Sequence, residues 1–362
     1  MIGSLTRAWD NLLGRGEAAV TVPPLDGALR PNRRLDEAAE RLPLAEVDSL
    51  AVVSGRLLAA AGETLYALDD AGTWQRRGGY EAEIACLAAI GERGLAVALA
   101  DGRILLEGEG LEGRRLDAPE GPGCITALAA AGSGLYLAIG STRHAAADWQ
   151  ADLLQRNASG SIWRIDLEDG STARIAQGLA YPAGLALDGE SLVYSEAWKH
   201  RLVRLPLARA GRPEVLAADL PGYPGRLSAG TGGHWLAVFA PRSQLVELVL
   251  REPHYRDRML AEVARPFWIA PKLRSGRTFY EPLQGGAVKH LGLLKPWAPT
   301  LSAGLCVRLD AGFQPQASLH SRADGATHGV TAAVEQGGRL YVAARGDGLV
   351  VSLALEELGD EA

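Results

Sequence analysis

Histidine is the side chain that titrates nearest neutral pH, and SLHSRADGATHG, residues 318–329, carries two of them. His320 and His328 flank Ser321, Arg322 and Asp324, which makes His328 the leading candidate for proton transfer, with hydrogen-bonded loop scaffolding as the competing role. A second concentration of reactive side chains lies between about Arg251 and Ser302, where Trp268, Lys272, Arg274, Tyr280, Lys289, His290, Lys295 and Trp297 occur together. Rings and cations in one irregular stretch suit an anionic or aromatic ligand; the bland alternative is a solvated cover stiffened by proline. No G-x-S-x-G elbow, H-E-x-x-H pair or P-loop is present, which disfavours serine hydrolase, zinc peptidase and nucleotide-driven chemistry. Cys86, Cys124 and Cys306 show no metal-type spacing and are expected to be small, reduced, buried residues.

The elements that must position these groups announce themselves by repetition. LAVVSGRLLAA from Leu50, LAAIGERGLAVA from Leu87, LAAAGSGLYLA from Leu128, LALDGESLVYS from Leu185, LSAGTGGHWLAV from Leu227 and AAVEQGGRLYVA from Ala332 each predict a β-hairpin around a glycine turn. Hairpins recurring at roughly 40-residue spacing predict an all-β ring of six four-stranded blades, a β-propeller. The 44 glycines and 47% hydrophobic content suit such a ring, and its 362 residues form one unit. Residues 1–44 are expected to form a leader packing on the propeller, with short helices at each end, and residues 45–358 the ring itself. Ile2, Leu5, Trp9, Leu12 and Leu13 share one helical face there. Two insertions interrupt the rhythm, at about 142–157 and 251–302; the first is expected to pack as a lid on its own blade. A net charge of −6 without a basic stripe disfavours nucleic acid, and no stretch has the length of a membrane span. The expected location is cytoplasmic.

The middle of the chain resembles the strictosidine synthase-like proteins, relatives of the gluconolactonase and paraoxonase group of six-bladed propellers. Three stretches carry the resemblance: SGSIWRIDLEDGSTARIAQGLAYPAGLALDGESLVYSEAWKHRLVRLPL from Ser159, VLAADLPGYPGRL from Val215, and GLCVRLD with HGVTAAVEQGGRLYVAARGDGLVVSL near the end. It spans most of Asp48 to Leu355, and SEAWKHRLVR is its most specific part.

The resemblance implies a channel with a Ca²⁺-type ion held by oxygen ligands in hydrolytic members, and most of those ligands are missing here. Asp48 stands at an acidic position of the family, but Ile125, Ala183 and Gly225 stand where the family has oxygen-bearing side chains, and Arg226 follows. A metal-dependent hydrolase is therefore disfavoured, and no cofactor is implied. The catalytic glutamate of strictosidine synthesis corresponds to Thr331, which cannot act as a general base, so that reaction is not expected. Arg226 is instead expected to pair with Asp48 and to receive an anionic or polar oxygen of a ligand, the alternative being an ion pair that plugs the channel. Glu196 and Trp198 belong to a phrase the family places near the inner strands, where they either orient a ligand or pack the blade.

Three functions follow. The first is a metal-independent enzyme, a lyase or hydrolase, acting on a small organic ligand through Arg226, Asp48 and His328, with Glu196, Trp198, His320, Arg322, Thr331, Lys272, Lys295 and Trp297 as binding residues. The second is a non-catalytic ligand-binding or interaction propeller. The third is a metal-dependent lactonase or esterase.

Overall fold

The computed structural model describes residues 22–358 apart from 109, 112, 208–210, 278–280, 282–288 and 291–292. The apolar helix face at Ile2–Leu13 and Tyr280 lie outside the described residues, as do the side chains of Lys289 and His290.

Each predicted hairpin forms the two innermost strands of one blade. In blade one, Val47–Val53 turns through Ser54 and Gly55, both with positive φ (51° and 70°), into Arg56–Ala61. That two-residue turn matches the twist of the strands it joins. The other inner strands are Ile84–Ile90, Ile125–Ala131, Pro182–Asp188, Gly222–Gly230 and Val330–Gln336, each antiparallel to the strand after it. Six sheets of four strands result, so the six-bladed propeller expected from the repeats is the fold.

Ring closure differs from expectation. The short helix expected at the end of the leader covers only Arg34–Glu37, and Glu40–Pro43 is instead a strand, the outermost of blade six, antiparallel to Leu349–Ala354. The C-terminal repeat supplies only three strands to its sheet, which leaves an edge to be filled. Leu42 turns into the apolar cluster between blades six and one, while Arg41 donates to the carbonyls of Leu35 and Ala326.

The core is divided among the blade interfaces. Between blades one and two, Val53, Leu58 and Leu65 meet Ile84, Leu95, Val97 and Leu99, and equivalent clusters fill the other five interfaces.

Both insertions lie over the channel. The first forms Ala146–Asp148 and the helix Trp149–Leu154. It does not stay on its own blade: Trp149 stacks on Trp198 of blade four, 6.2 Å between centroids, and meets Phe239 of blade five edge-on at 5.4 Å. The second interrupts blade five between Gly233–Pro241 and Gly304–Asp310, and it opens earlier than expected, with a helix Gln244–Arg251 capped by the Ser243 hydroxyl. A helix Pro253–Glu262 follows. The insertions clasp each other: Gln150 donates to the Pro271 carbonyl at 2.7 Å, Arg265 pairs with Asp148, and Leu154 packs with Val249, Met259 and Trp268.

Candidate functional site: a guanidinium hub beneath an apolar cavity

Every inner strand carries a register irregularity at its start. The pairing skips Asp48 in blade one, Ala85 in blade two, Thr126 in blade three, Ala183 in blade four, Gly225–Arg226 in blade five and Thr331 in blade six. A bulged residue leaves the ladder, so its carbonyl is free to turn elsewhere. Four of these carbonyls converge on one side chain. Arg226 donates from Nε to Thr126 O (3.2 Å), from Nη1 to Asp48 O (2.8 Å) and Thr331 O (3.2 Å), and from Nη2 to Ala85 O (2.7 Å) and Asp48 Oδ2 (2.8 Å).

A guanidinium has five N–H groups, and all five are engaged. Arg226 thus joins blade five to blades one, two, three and six. Burial alone would raise the pKa of Asp48, but the guanidiniums of Arg226 and Arg345 outweigh it and bring the carboxyl from 3.8 to about 2. Arg345 reaches Asp48 Oδ1 at 3.3 Å and Glu83 Oε1 at 2.8 Å, so two cations and two carboxylates balance around the axis. The expected Asp48–Arg226 pair is present, but its cation has no donor left over for a ligand.

Above the hub lies a cavity of about 320 Å³. Ile84, Ile125, Tyr181 and Phe239 form its walls, Ala145–Ala147, Trp149 and Leu273 come from the insertions, and Glu83, Asp48, Arg226, Thr331 and Arg345 edge its floor. Tyr181 is held by Trp198, whose ring stacks on it at 4.3 Å and whose Nε1 donates to Asp152 at 2.7 Å. The Thr331 hydroxyl is buried without a hydrogen-bond partner.

The other candidates from the sequence lie elsewhere. His328 is fully buried and does not reach the cavity. Its Nε2 faces the Arg322 carbonyl at 2.7 Å and must carry the proton, so Nδ1 accepts from Arg274 (2.7 Å) and the Ser302 hydroxyl (2.9 Å). Burial, reinforced by Arg274, lowers its pKa from 6.5 to about 4. The catalytic role expected for His328 gives way to that of a neutral, fully bonded crosslink. His320, also lowered to about 4 by burial and Arg322, faces Ser318 on the outer strand of blade five, and its backbone N–H donates to Asn32. Arg322 donates to the Pro296 carbonyl. The Glu196 carboxylate is buried and accepts from the Ala180 amide, Lys199 and Arg201, so it fixes its own blade rather than a ligand. Lys295 sits 5.2 Å over the ring of the exposed Trp297, and neither lines the cavity. Lys272 lines a different cavity in the roof, described below.

Sequence reasoning missed Glu83, Ala85, Arg345, Tyr181 and Phe239. The signal for the hub was available: superposing the six repeats at the start of their inner strands puts Asp48, Ala85, Thr126, Ala183, Arg226 and Thr331 in register. In blade three this position falls on Thr126, one residue beyond Ile125, and its hydroxyl is used on the Pro182 carbonyl.

No family model matches the chain. A stretch of 110 residues is 32% identical to the strictosidine synthase-like 13 protein of Arabidopsis thaliana, covering 29% of this chain and 27% of that protein. Among solved structures, the calcium-binding protein regucalcin from Agrobacterium tumefaciens superposes with a TM-score of 0.51 at 14% identity, over 87% of this chain and 93% of its own. A putative gluconolactonase gives 0.51 at 12% identity, over 87% and 92%. A luciferin-regenerating enzyme gives 0.50 at 11%, over 86% and 92%. The molecule is a six-bladed propeller, the fold that these structures share. The sequence similarity to the strictosidine synthase-like 13 protein is confined to a stretch that spans about a quarter of that relative's length.

The donor set of this channel does not fit the ion that the sequence resemblance implies. The converging carbonyls already surround a guanidinium, and Asp48, the one carboxylate among them, is bound by two arginines. A divalent cation at that point would lie against a fixed positive charge. Ala183 and Gly225 add no side-chain oxygen.

Proposed function

We propose that this protein is a metal-independent, small-molecule-binding propeller whose cavity takes a compact neutral molecule with an apolar or aromatic body and a polar oxygen directed at Arg345. The observation that carries this reading is the complete engagement of Arg226: a saturated guanidinium supplies a charged but closed floor, and the space above it is walled by carbon. Arg345 is the cation at the floor whose side chain keeps a third of its surface open. Balanced charge gives a free anion little advantage, whereas a hydroxyl or carbonyl can bond at the edge without leaving a buried charge unmatched.

Binding is favoured over turnover because, among the described lining residues, Asp48 is locked in ion pairs and Tyr181 has its pKa raised well above its ordinary value by burial. Glu83 alone of the lining carboxylates is half-exposed.

1-Naphthol, neutral and bicyclic with one hydroxyl, is the probe. Calorimetric titration should show saturable binding at micromolar to millimolar concentration, weaker binding of 1-naphthoate, and loss of both in Ala146→Trp, which fills the roof of the cavity without touching a charged group. Equal binding of 1-naphthol by wild type and Ala146→Trp would sink the proposal.

A further inference from the structure

A second, open cavity of about 590 Å³ lies in the roof and is lined by the insertions. It shares Trp149 and Leu273 with the channel cavity but has a different character, because Arg265, Lys272 and Arg274 face it against one carboxylate, Glu281. The two arginines are already matched: Arg265 by Asp148, and Arg274 by Asp347 at 3.1 Å. Lys272 is not. Its ammonium is half-buried, its Nζ donates to the neutral Pro266 carbonyl at 2.8 Å, and no carboxylate among the described residues pairs with it. Phe267, 45% exposed, stands beside it, and Trp149 closes the inner side.

A half-buried ammonium that gives one hydrogen to a carbonyl keeps two donors, and the charge of Glu281 reaches it without forming an ion pair. Burial lowers the pKa of Lys272, and the charge of Glu281 offsets that only in part. Carboxylate binding would satisfy both donors and charge, and the aromatic faces of Phe267 and Trp149 supply apolar surface for a ring.

We infer that the roof cavity is a second binding site, selective for a small aromatic monocarboxylate whose carboxylate bonds to Lys272 and whose ring lies between Phe267 and Trp149. One charge suffices because Lys272 alone of the described lining cations forms no ion pair. The site is independent of the channel cavity proposed above, although the shared Trp149 lets occupancy of either be felt at the other.

Benzoate is the probe, titrated into the full chain and followed by calorimetry, with benzyl alcohol as the uncharged counterpart. Benzoate should bind saturably at millimolar concentration or below and at least tenfold more tightly than benzyl alcohol. Lys272→Met should weaken benzoate at least tenfold while Lys272→Arg stays within about threefold, and melting curves will show whether each variant is folded. Ala146→Trp, which lies outside this cavity, should bind benzoate as wild type does even where it no longer binds 1-naphthol. Benzoate lost in Ala146→Trp but kept in Lys272→Met would place it in the channel cavity and overturn the roof site alone. No saturable benzoate binding, or equal binding of benzyl alcohol, would overturn it as well.

Discussion

At the scale of single residues, neither Arg226 nor His328 has the role that its chemistry suggests. A permanent cation on the axis reads as a ligand receptor, yet its five donors are used on protein oxygens, so its contribution is to the ring. Arg226→Met would strand four carbonyls and leave Asp48 with Arg345 as its only cation; breaking a buried pair in this way costs about 3–5 kcal/mol. Urea denaturation should show that loss, with 1-naphthol affinity little changed in whatever fraction remains folded. Because Asp48 is depressed to about 2, its stabilising contribution is complete above pH 4 and disappears as pH falls from about 4 toward 2. His328 has the opposite charge type but the same sense: its folded pKa of about 4 lies below the ordinary 6.5, so folding excludes a proton, and the stability it contributes above pH 6.5 fades as pH drops toward 4. His328→Gln should therefore flatten part of the stability loss between pH 6.5 and 4, His320 and His234 contributing in the same sense, and should leave 1-naphthol binding intact. Unchanged pH dependence in that variant would show that the buried imidazole is not the titrating group.

At the scale of elements, the hairpins were legible in the sequence because their signal is local: an apolar run, a turn residue with positive φ, and a second apolar run. The strand Glu40–Pro43 was not, because its reason for being extended is the vacant edge of blade six, contributed by residues at the other end of the chain. Four residues containing arginine, leucine and proline carry no strand pattern of their own, and the helix before them suggested more helix. Leu42 is nine-tenths buried between blades six and one, so Leu42→Ala should cost about 2–3 kcal/mol, the lower part of the range for a leucine truncated in a core. Thermal unfolding should remain a single transition at lower temperature. A cost below about 0.5 kcal/mol would mean that the closing strand is dispensable. The insertions were legible as interruptions but not as a roof, since the clasp between Gln150 and Pro271 joins residues that no sequence spacing relates.

For the whole molecule, the ring itself was inferable from periodicity, and the departures from the oxygen ligands that the resemblance implies were visible position by position. What replaced them was not. The hub depends on backbone carbonyls, which every residue possesses and no sequence distinguishes, and on bulges whose effect appears only when six blades face one axis. The cavity above it was equally hidden, because its walls are ordinary apolar residues drawn from four blades and two insertions.

The closing strand also sets an order of events. During synthesis Glu40–Pro43 is among the first parts of the ring to emerge, and its partner Leu349–Ser352 follows about 300 residues later; at 5–20 residues per second this is a wait of roughly 15–60 s. Throughout that interval the unfinished ring presents an open flank, and the carbonyl of Thr331 needed to complete the axis does not yet exist. Contacts so distant along the chain make folding slow, and a half-built ring has sticky edges on which a second nascent copy can pair. The order of synthesis thus makes the arrival of the last blade, and whatever shields the flank until then, part of how this ring comes to fold.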